Sequence, residues 1–344
     1  MKPIWRLIKY GIAGIRPASP PLVIFTITTR CNMACRHCGD DVWGDPQNDL
    51  SLDEIARFSA ELGTVDSLAL GGGEPFLRKD LAEICRLFVM NNQVTSISIP
   101  SNGFATDNIC DTVRAILDAC PALALNIMLS LDGFQETHDL IRTPGSFEKV
   151  METGRRLKSM EVELPGLTLT FNATINNVNW KELPPLAQFV LDTFQTRLEF
   201  NIITGNPRDV ALAIPERKDL EKTIEGLQER RHKSLLRQLY DKVYRDTLVQ
   251  SNFAAYQAIP CRAGSIACNV DANGDVRACP LLPPLGNLRT SSFGDLWNGQ
   301  KALKQCRSIG RGDCYCNNDC FTRISLMYYW KLPFLMLQKL LKPK

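Results

Sequence analysis

The sequence predicts an α/β fold: six βα units curled into a partial, TIM-like barrel, followed by a small cysteine-rich C-terminal domain. Three observations carry this expectation. Apolar, β-branched runs alternate with amphipathic helical patterns between residues 22 and 203, and repeated βα units build parallel sheets with right-handed crossovers. Six units are too few to close an eight-fold barrel, so the barrel is expected to stay open, with the loops after its strands forming the site. From residue 253 to 320 the texture changes to one rich in Cys, Gly, Asn and Pro.

The expected divisions are an amphipathic basic helix over 1–20, the barrel over 21–210 and a helical connector over 211–252. The cysteine-rich domain then covers 253–322, and an apolar, basic tail covers 323–344. With 344 residues, 44% of them hydrophobic and 22% charged, the chain has the length and balance of a soluble globular protein. Thirteen cysteines would suggest disulfides in a short secreted chain. Here they fall in metal-type spacings, which fits a reducing cytoplasm. Residues 1–17 and 321–344 together hold nine basic residues and no acid; with a net charge of +3, the remaining body carries −6. A nucleic-acid-binding body would be basic, so that role is disfavoured.

In chain order, Ile4, Trp5, Leu7, Ile8, Ile12 and Ile15 share one side of a helical projection, and Lys2, Arg6, Lys9 and Arg16 the other. Such a helix suits either a membrane surface or the protein's own body. Residues 22–28 read as a buried strand. Ser51 caps the next helix, with Glu54 completing a capping box and Ile55, Phe58 and Leu62 recurring at helical spacing. Further strands are expected at 65–70, 94–99, 123–131, 167–175 and 198–203. Helices are expected at 79–90, 106–119, 147–160 and 183–193. Residues 215–250 are charged and helix-prone, a connector with a solvated face. Asp271-Ala272-Asn273-Gly274-Asp275 is a hairpin turn that would bring Cys261 and Cys279 together. In the tail, 326–344 is apolar around most of its circumference, with Lys331, Lys339 and Lys342 in a stripe. Tyr328, Tyr329 and Trp330 suit a membrane–water boundary, yet the interrupted run is too short to span.

Directly after the first strand stand Cys31, Cys35 and Cys38, spaced C-x3-C-x2-C. So tight a loop points three thiolates at one centre. Structural zinc and ordinary ferredoxin clusters take four protein ligands, whereas three leave one iron of a 4Fe–4S cluster open. This spacing resembles the signature of the radical S-adenosylmethionine (SAM) superfamily, whose open iron chelates the amino and carboxylate groups of SAM.

That resemblance extends to Gly71-Gly72-Gly73-Glu74-Pro75, similar to the family's GGE motif. It implies that Gly72, Gly73 and Glu74 receive the SAM ammonium. Ser101-Asn102-Gly103 and Ser130-Leu131-Asp132-Gly133 end the third and fourth strands, with His138, Asp139 and Arg142 following. These resemble the family's SLDG-x4-HD-x2-R stretch, which implies cofactor contacts from Ser101, Asn102, Ser130, Asp132 and Arg142, the guanidinium pairing with the SAM carboxylate. His37 occupies a place whose backbone meets adenine in the family, His138 reads as structural, and Asn172 on the fifth strand would also face the ligand.

Cys261-x12-Gly274-x4-Cys279, Gly286-Asn287-Leu288 and Leu296-Trp297 resemble the SPASM or twitch extension, which carries auxiliary iron–sulfur clusters. The closing part departs from it. Cys306 and Cys314-x-Cys316-x3-Cys320 bring the thiols to seven, short of the eight that two fully ligated clusters need. One auxiliary cluster, a 4Fe–4S, is therefore expected on Cys261, Cys279, Cys316 and Cys320, with Cys268, Cys306 and Cys314 as rivals. Structural zinc competes for the same thiolates. Cys85, Cys110 and Cys120 lie on expected helices as buried structural residues.

The resemblance implies reductive cleavage of SAM to a 5′-deoxyadenosyl radical that abstracts hydrogen from an unactivated C–H bond. The electron would come from an external flavodoxin- or ferredoxin-type donor, and the auxiliary cluster would aid oxidation. A small or membrane-associated substrate is the first expectation, with both termini on the inner membrane face. The alternative is a peptide-modifying maturase forming thioether or carbon–carbon links. A non-catalytic iron–sulfur or zinc-binding interaction protein is the alternative of another class.

Overall fold

The computed structural model describes residue 10 and residues 16–39, 44–228 and 234–341. Most of the amphipathic helix expected over 1–20 lies outside the described residues, as do Lys342 and Lys344. Six strands form the barrel: β1 (Leu22–Thr28), β2 (Ser67–Gly72), β3 (Ser96–Ser101), β4 (Ala124–Ser130), β5 (Leu167–Ile175) and β6 (Leu198–Ile202). All run parallel, each hydrogen-bonded to the next. The interleaved helices are α1 (Leu52–Leu62), α2 (Leu81–Asn92), α3 (Thr106–Ala119), α4 (Gln135–Ile141), α5 (Ser146–Glu163) and α6 (Leu183–Phe194).

Alternation along the strands decides where the core sits. Val23, Phe25 and Ile27 are fully buried toward the helices. Phe25, Phe58 of α1 and Phe88 of α2 meet edge to face, with centroids 5.8–6.1 Å apart. The intervening positions face the lumen, where polar side chains meet one another: Thr170 donates to Asn126 Oδ1 at 3.1 Å. The capping box at Ser51 and Glu54 forms as its sequence requires.

β2 and β3 begin two residues later than the sequence pattern expects. Val65 and Val94 are buried, which is what attracts a strand assignment, but their amides go to the carbonyls of Asn92 and Phe88 rather than to a ladder. α4, which carries His138 and Asp139, is too short for its periodicity to announce it.

The connector forms α7 (Arg217–Gln228) and α8 (Leu235–Phe253). A purely solvated face does not describe it: Leu220, Ile224, Leu227, Val243, Tyr244 and Leu248 are buried in the main core. They recur at helical spacing beneath a charged outer surface, and the charges mask the stripe in the sequence.

Beyond it come β7 (Ala267–Val270), β8 (Asp275–Arg277) and β9 (Gly286–Asn287), then α9 (Phe293–Asn298), α10 (Gln300–Arg311), α11 (Asp319–Met327) and α12 (Leu332–Leu341). β7 pairs in parallel with β1, Leu22 opposite Ala267 through Phe25 opposite Val270. One nine-stranded sheet therefore runs β6-β5-β4-β3-β2-β1-β7-β8-β9. The expected hairpin closes on Gly274, whose φ of 90° suits glycine. At the opposite edge the Ile202 amide donates to Asp319 Oδ2 at 2.6 Å, so α11 covers the free side of β6.

Candidate functional site

β1 ends in a bulge between Thr26 and Thr28, opposite Gly71 and Gly72. The next residues turn into the cysteine loop, and the glycines let that loop lie against the end of β2. A Cβ on Gly72, where φ is +144°, would sit 2.2 Å from the Thr28 carbonyl oxygen. One on Gly73 would sit 2.2 Å from that of Arg30 and 2.9 Å from the Cys31 Cβ. The Gly73 and Glu74 amides donate to the Thr28 and Arg30 carbonyls at 3.0 and 2.7 Å. The loop's far side is tied twice more: Arg36 N donates to Ile141 O at the end of α4, and Arg208 N, past β6, donates to Cys38 O.

Cys31, Cys35, His37, Cys38, Gly72, Gly73, Glu74, Ser101, Asn102, Ser130, Arg142 and Asn172 line one cavity of about 190 Å³. Asp132 stands behind it. Fully buried, Asp132 accepts from Arg142 Nε at 2.6 Å and from the Thr174 amide at 2.7 Å, so it aims the guanidinium. Burial, the largest single influence, would raise its pKa; Arg142, the two nearby histidines and the Thr174 amide together outweigh it and hold the carboxyl below its ordinary value. Arg142 Nη1 lies 3.9 Å from Cys35 Sγ.

Glu74 is also buried, and its carboxylate accepts from Ser101 Oγ, Phe76 N and Asn102 N. Burial nonetheless pushes its pKa up to about 7. Asn102 reaches back to the cysteine loop, donating to Asn32 Oδ1 at 2.7 Å. His138 is structural, its Nδ1 accepting from the Asp132 amide at 3.1 Å. Met33, Pro100 and Thr174 also line the cavity. The signal for Thr174 was its position two residues from Asn172 on one strand face; that for Met33 was its place between ligand candidates.

Burial raises the thiol pKa of Cys31 and Cys35, and that of Cys38 to about 11. His37 is driven down to about 4, so its ring is neutral. Its buried Nδ1 has no hydrogen-bond partner, which a polar ligand in the cavity would supply. Among the described residues no three Cys, His, Asp or Glu side chains could hold a metal ion by themselves. A 4Fe–4S cluster attaches each thiolate to a different iron, so it asks for three thiols around a space, with open room beside them. The three cysteines, the neutral histidine and the glycine-lined wall fit that demand.

A second cavity, of about 180 Å³, is walled by Cys261, Cys279, Cys314 and Cys316 together with Ile259, Leu281, Leu282, Ile309 and Phe321. Burial raises Cys261 to about 11 and Cys279 to about 12. Four cysteines around one largely apolar cavity, with Cys316 exposed, suit a second cluster. Cys320 does not line this cavity. Cys268 is fully buried on β7, and Cys306 donates to the Gly264 carbonyl at 2.7 Å. Cys85, Cys110 and Cys120 are buried in the main core, and all thirteen cysteines are free thiols.

A family model described as the radical SAM superfamily matches residues 25–190, and one described as SPASM, an iron–sulfur cluster-binding domain, matches residues 261–321. An AdoMet-dependent heme synthase of Methanosarcina barkeri is 26% identical over 314 residues, spanning 84% of this chain and 85% of that protein. A PqqA peptide cyclase of Xanthomonas euvesicatoria is 27% identical over 310 residues, 84% of this chain and 77% of that one. Among solved structures, anSMEcpe with bound AdoMet and the Kp18Cys peptide superposes with a TM-score of 0.62 at 16% identity. That match covers 94% of this chain and 100% of the other.

Proposed function

Because the chain belongs to the radical SAM superfamily and carries a SPASM domain, we propose that it is an enzyme that modifies a peptide. The two domains imply 4Fe–4S clusters and SAM as cofactors. Bound there, they supply a radical that removes hydrogen from an unactivated C–H bond. Cys31, Cys35 and Cys38 would hold the first cluster, leaving one iron for SAM. Arg142, oriented by Asp132, presents a two-pronged donor suited to the SAM carboxylate. The neutral His37, Ser130 and Asn172 give the cavity wall hydrogen-bonding groups, while Gly72 and Gly73 keep it free of side chains. Cys261, Cys279, Cys314 and Cys316 would hold an auxiliary cluster. An external one-electron donor of flavodoxin or ferredoxin type would feed the site.

One observation carries the peptide reading: the PqqA peptide cyclase matches across both the barrel and the cysteine-rich module. The test is incubation of anaerobically reconstituted enzyme with SAM, reductant and a library of deuterated candidate peptides. Deuterium in 5′-deoxyadenosine together with a mass change in the peptide supports the reading. 5′-Deoxyadenosine formed with no peptide altered sinks it. A second reading, oxidation of a small or membrane-associated molecule, is supported by the heme synthase match over a similar span; deuterium transfer from such a molecule and from no peptide would favour it.

A further inference from the structure

The helix α12 has two apolar sides, and the body of the protein covers only one. Leu332, Leu335 and Met336 pack against the main core, and Lys339 pairs with Asp246 of α8. On the opposite side Phe334, Leu337 and Leu341 are 59, 49 and 72% exposed, and Trp330, in the turn just before the helix, is 53% exposed. The three helical residues recur at spacings of three and four, so they share one face. Exposed large apolar groups in one stripe mark an interaction surface.

The charge around the stripe indicates what covers it. Residues 321–344 hold five basic residues and no acid; Arg323 pairs with Glu199 and Lys339 with Asp246, which leaves Lys331 beside the stripe. Asp246, the acid bound by Lys339, is also engaged by Arg245. Lys331 lies over the Trp330 ring, 5.2 Å from its centroid, the pairing of cation and indole found where hydrocarbon meets headgroup. No helix of the described residues is long and apolar enough to cross a membrane.

We propose that the exposed face of α12 lies on an anionic lipid surface, with Trp330, Phe334, Leu337 and Leu341 entering the acyl boundary and Lys331 meeting phosphate. Apolar insertion and basic attraction are each weak alone, and together they give reversible docking.

The test is flotation of the full-length, cluster-loaded protein with phosphatidylcholine vesicles, alone or mixed with phosphatidylglycerol. The wild type should float with the mixed vesicles and be released by salt. Phe334→Glu combined with Leu337→Glu should lower vesicle partition about tenfold or more, while visible cluster absorption and 5′-deoxyadenosine formation stay at wild-type levels. Equal flotation on the neutral vesicles, or unchanged flotation of the variant, would overturn the proposal. So would a wild type that stays with the unfloated protein but self-associates through this face, becoming monomeric in the variant; a second copy would then be the occupant.

Discussion

Gly73 shows how little freedom single residues have around the cysteine loop. A methyl group there meets a backbone oxygen at 2.2 Å, and the oxygen belongs to Arg30, next to Cys31. Gly73→Ala is expected to cost on the order of 1–3 kcal/mol, as overpacking does, and to shift the loop that presents the thiols. The measurements are the denaturation midpoint and iron per chain after reconstitution; unchanged iron would contradict the packing argument. His138 sets a pH dependence. Burial, then Arg142, lowers its pKa to about 4 from 6.5, so the folded protein declines a proton that the unfolded chain accepts. That stability is present above pH 6.5 and is lost as pH falls toward 4, roughly 3 kcal/mol at most. Chemical denaturation from pH 7 to 4.5 should show it, with a shallower decline in His138→Gln. At this scale the sequence was informative, because short motifs fix local spacing: twelve of the thirteen residues expected around SAM line one cavity. Asp132 sits one layer back, and only the fold reveals that its carboxylate is spent on Arg142 and the Thr174 amide.

Among the elements, the segment between α10 and α11 bears on which thiols would hold the proposed auxiliary cluster. Spacing favoured Cys316 and Cys320, but α11 begins at Asp319, and only Cys314 and Cys316 from this stretch reach the four-thiol cavity. Spacing alone does not reveal where a helix starts within a run of short polar residues. Cys314→Ser is therefore expected to remove about four irons per chain, and Cys320→Ser to leave iron content unchanged, both retaining substrate-independent SAM cleavage. Iron analysis with low-temperature electron paramagnetic resonance would read this; iron loss in Cys320→Ser alone would return the assignment to the original spacing. The barrel strands were legible because each apolar run is local. The connector's burial was not, since its charged residues outnumber the stripe that packs inward.

For the molecule as a whole, the β1–β7 pairing matters most. Nothing near Ala267 names its partner, because pairing between segments so far apart leaves no periodic trace. The same pairing joins the barrel and the cysteine-rich module, whose loops carry the two cysteine clusters, through one sheet. A chain ended after residue 255 would leave the inner edge of β1 bare. Exposed apolar edges seek other strands, so this truncation should sediment as aggregate where the full chain stays monodisperse; a soluble, cluster-binding fragment would contradict it.

The position of β1 also bears on how the protein is made. Synthesis proceeds from the N-terminus, so β1 leaves the ribosome well over 200 residues ahead of β7, its second neighbour. Throughout most of translation the three N-terminal thiols hang from a strand open on one flank, and iron delivered early would meet a half-built cradle. Cofactor insertion into the cysteine loop is therefore expected to succeed only once β7 has paired with β1 and closed that flank.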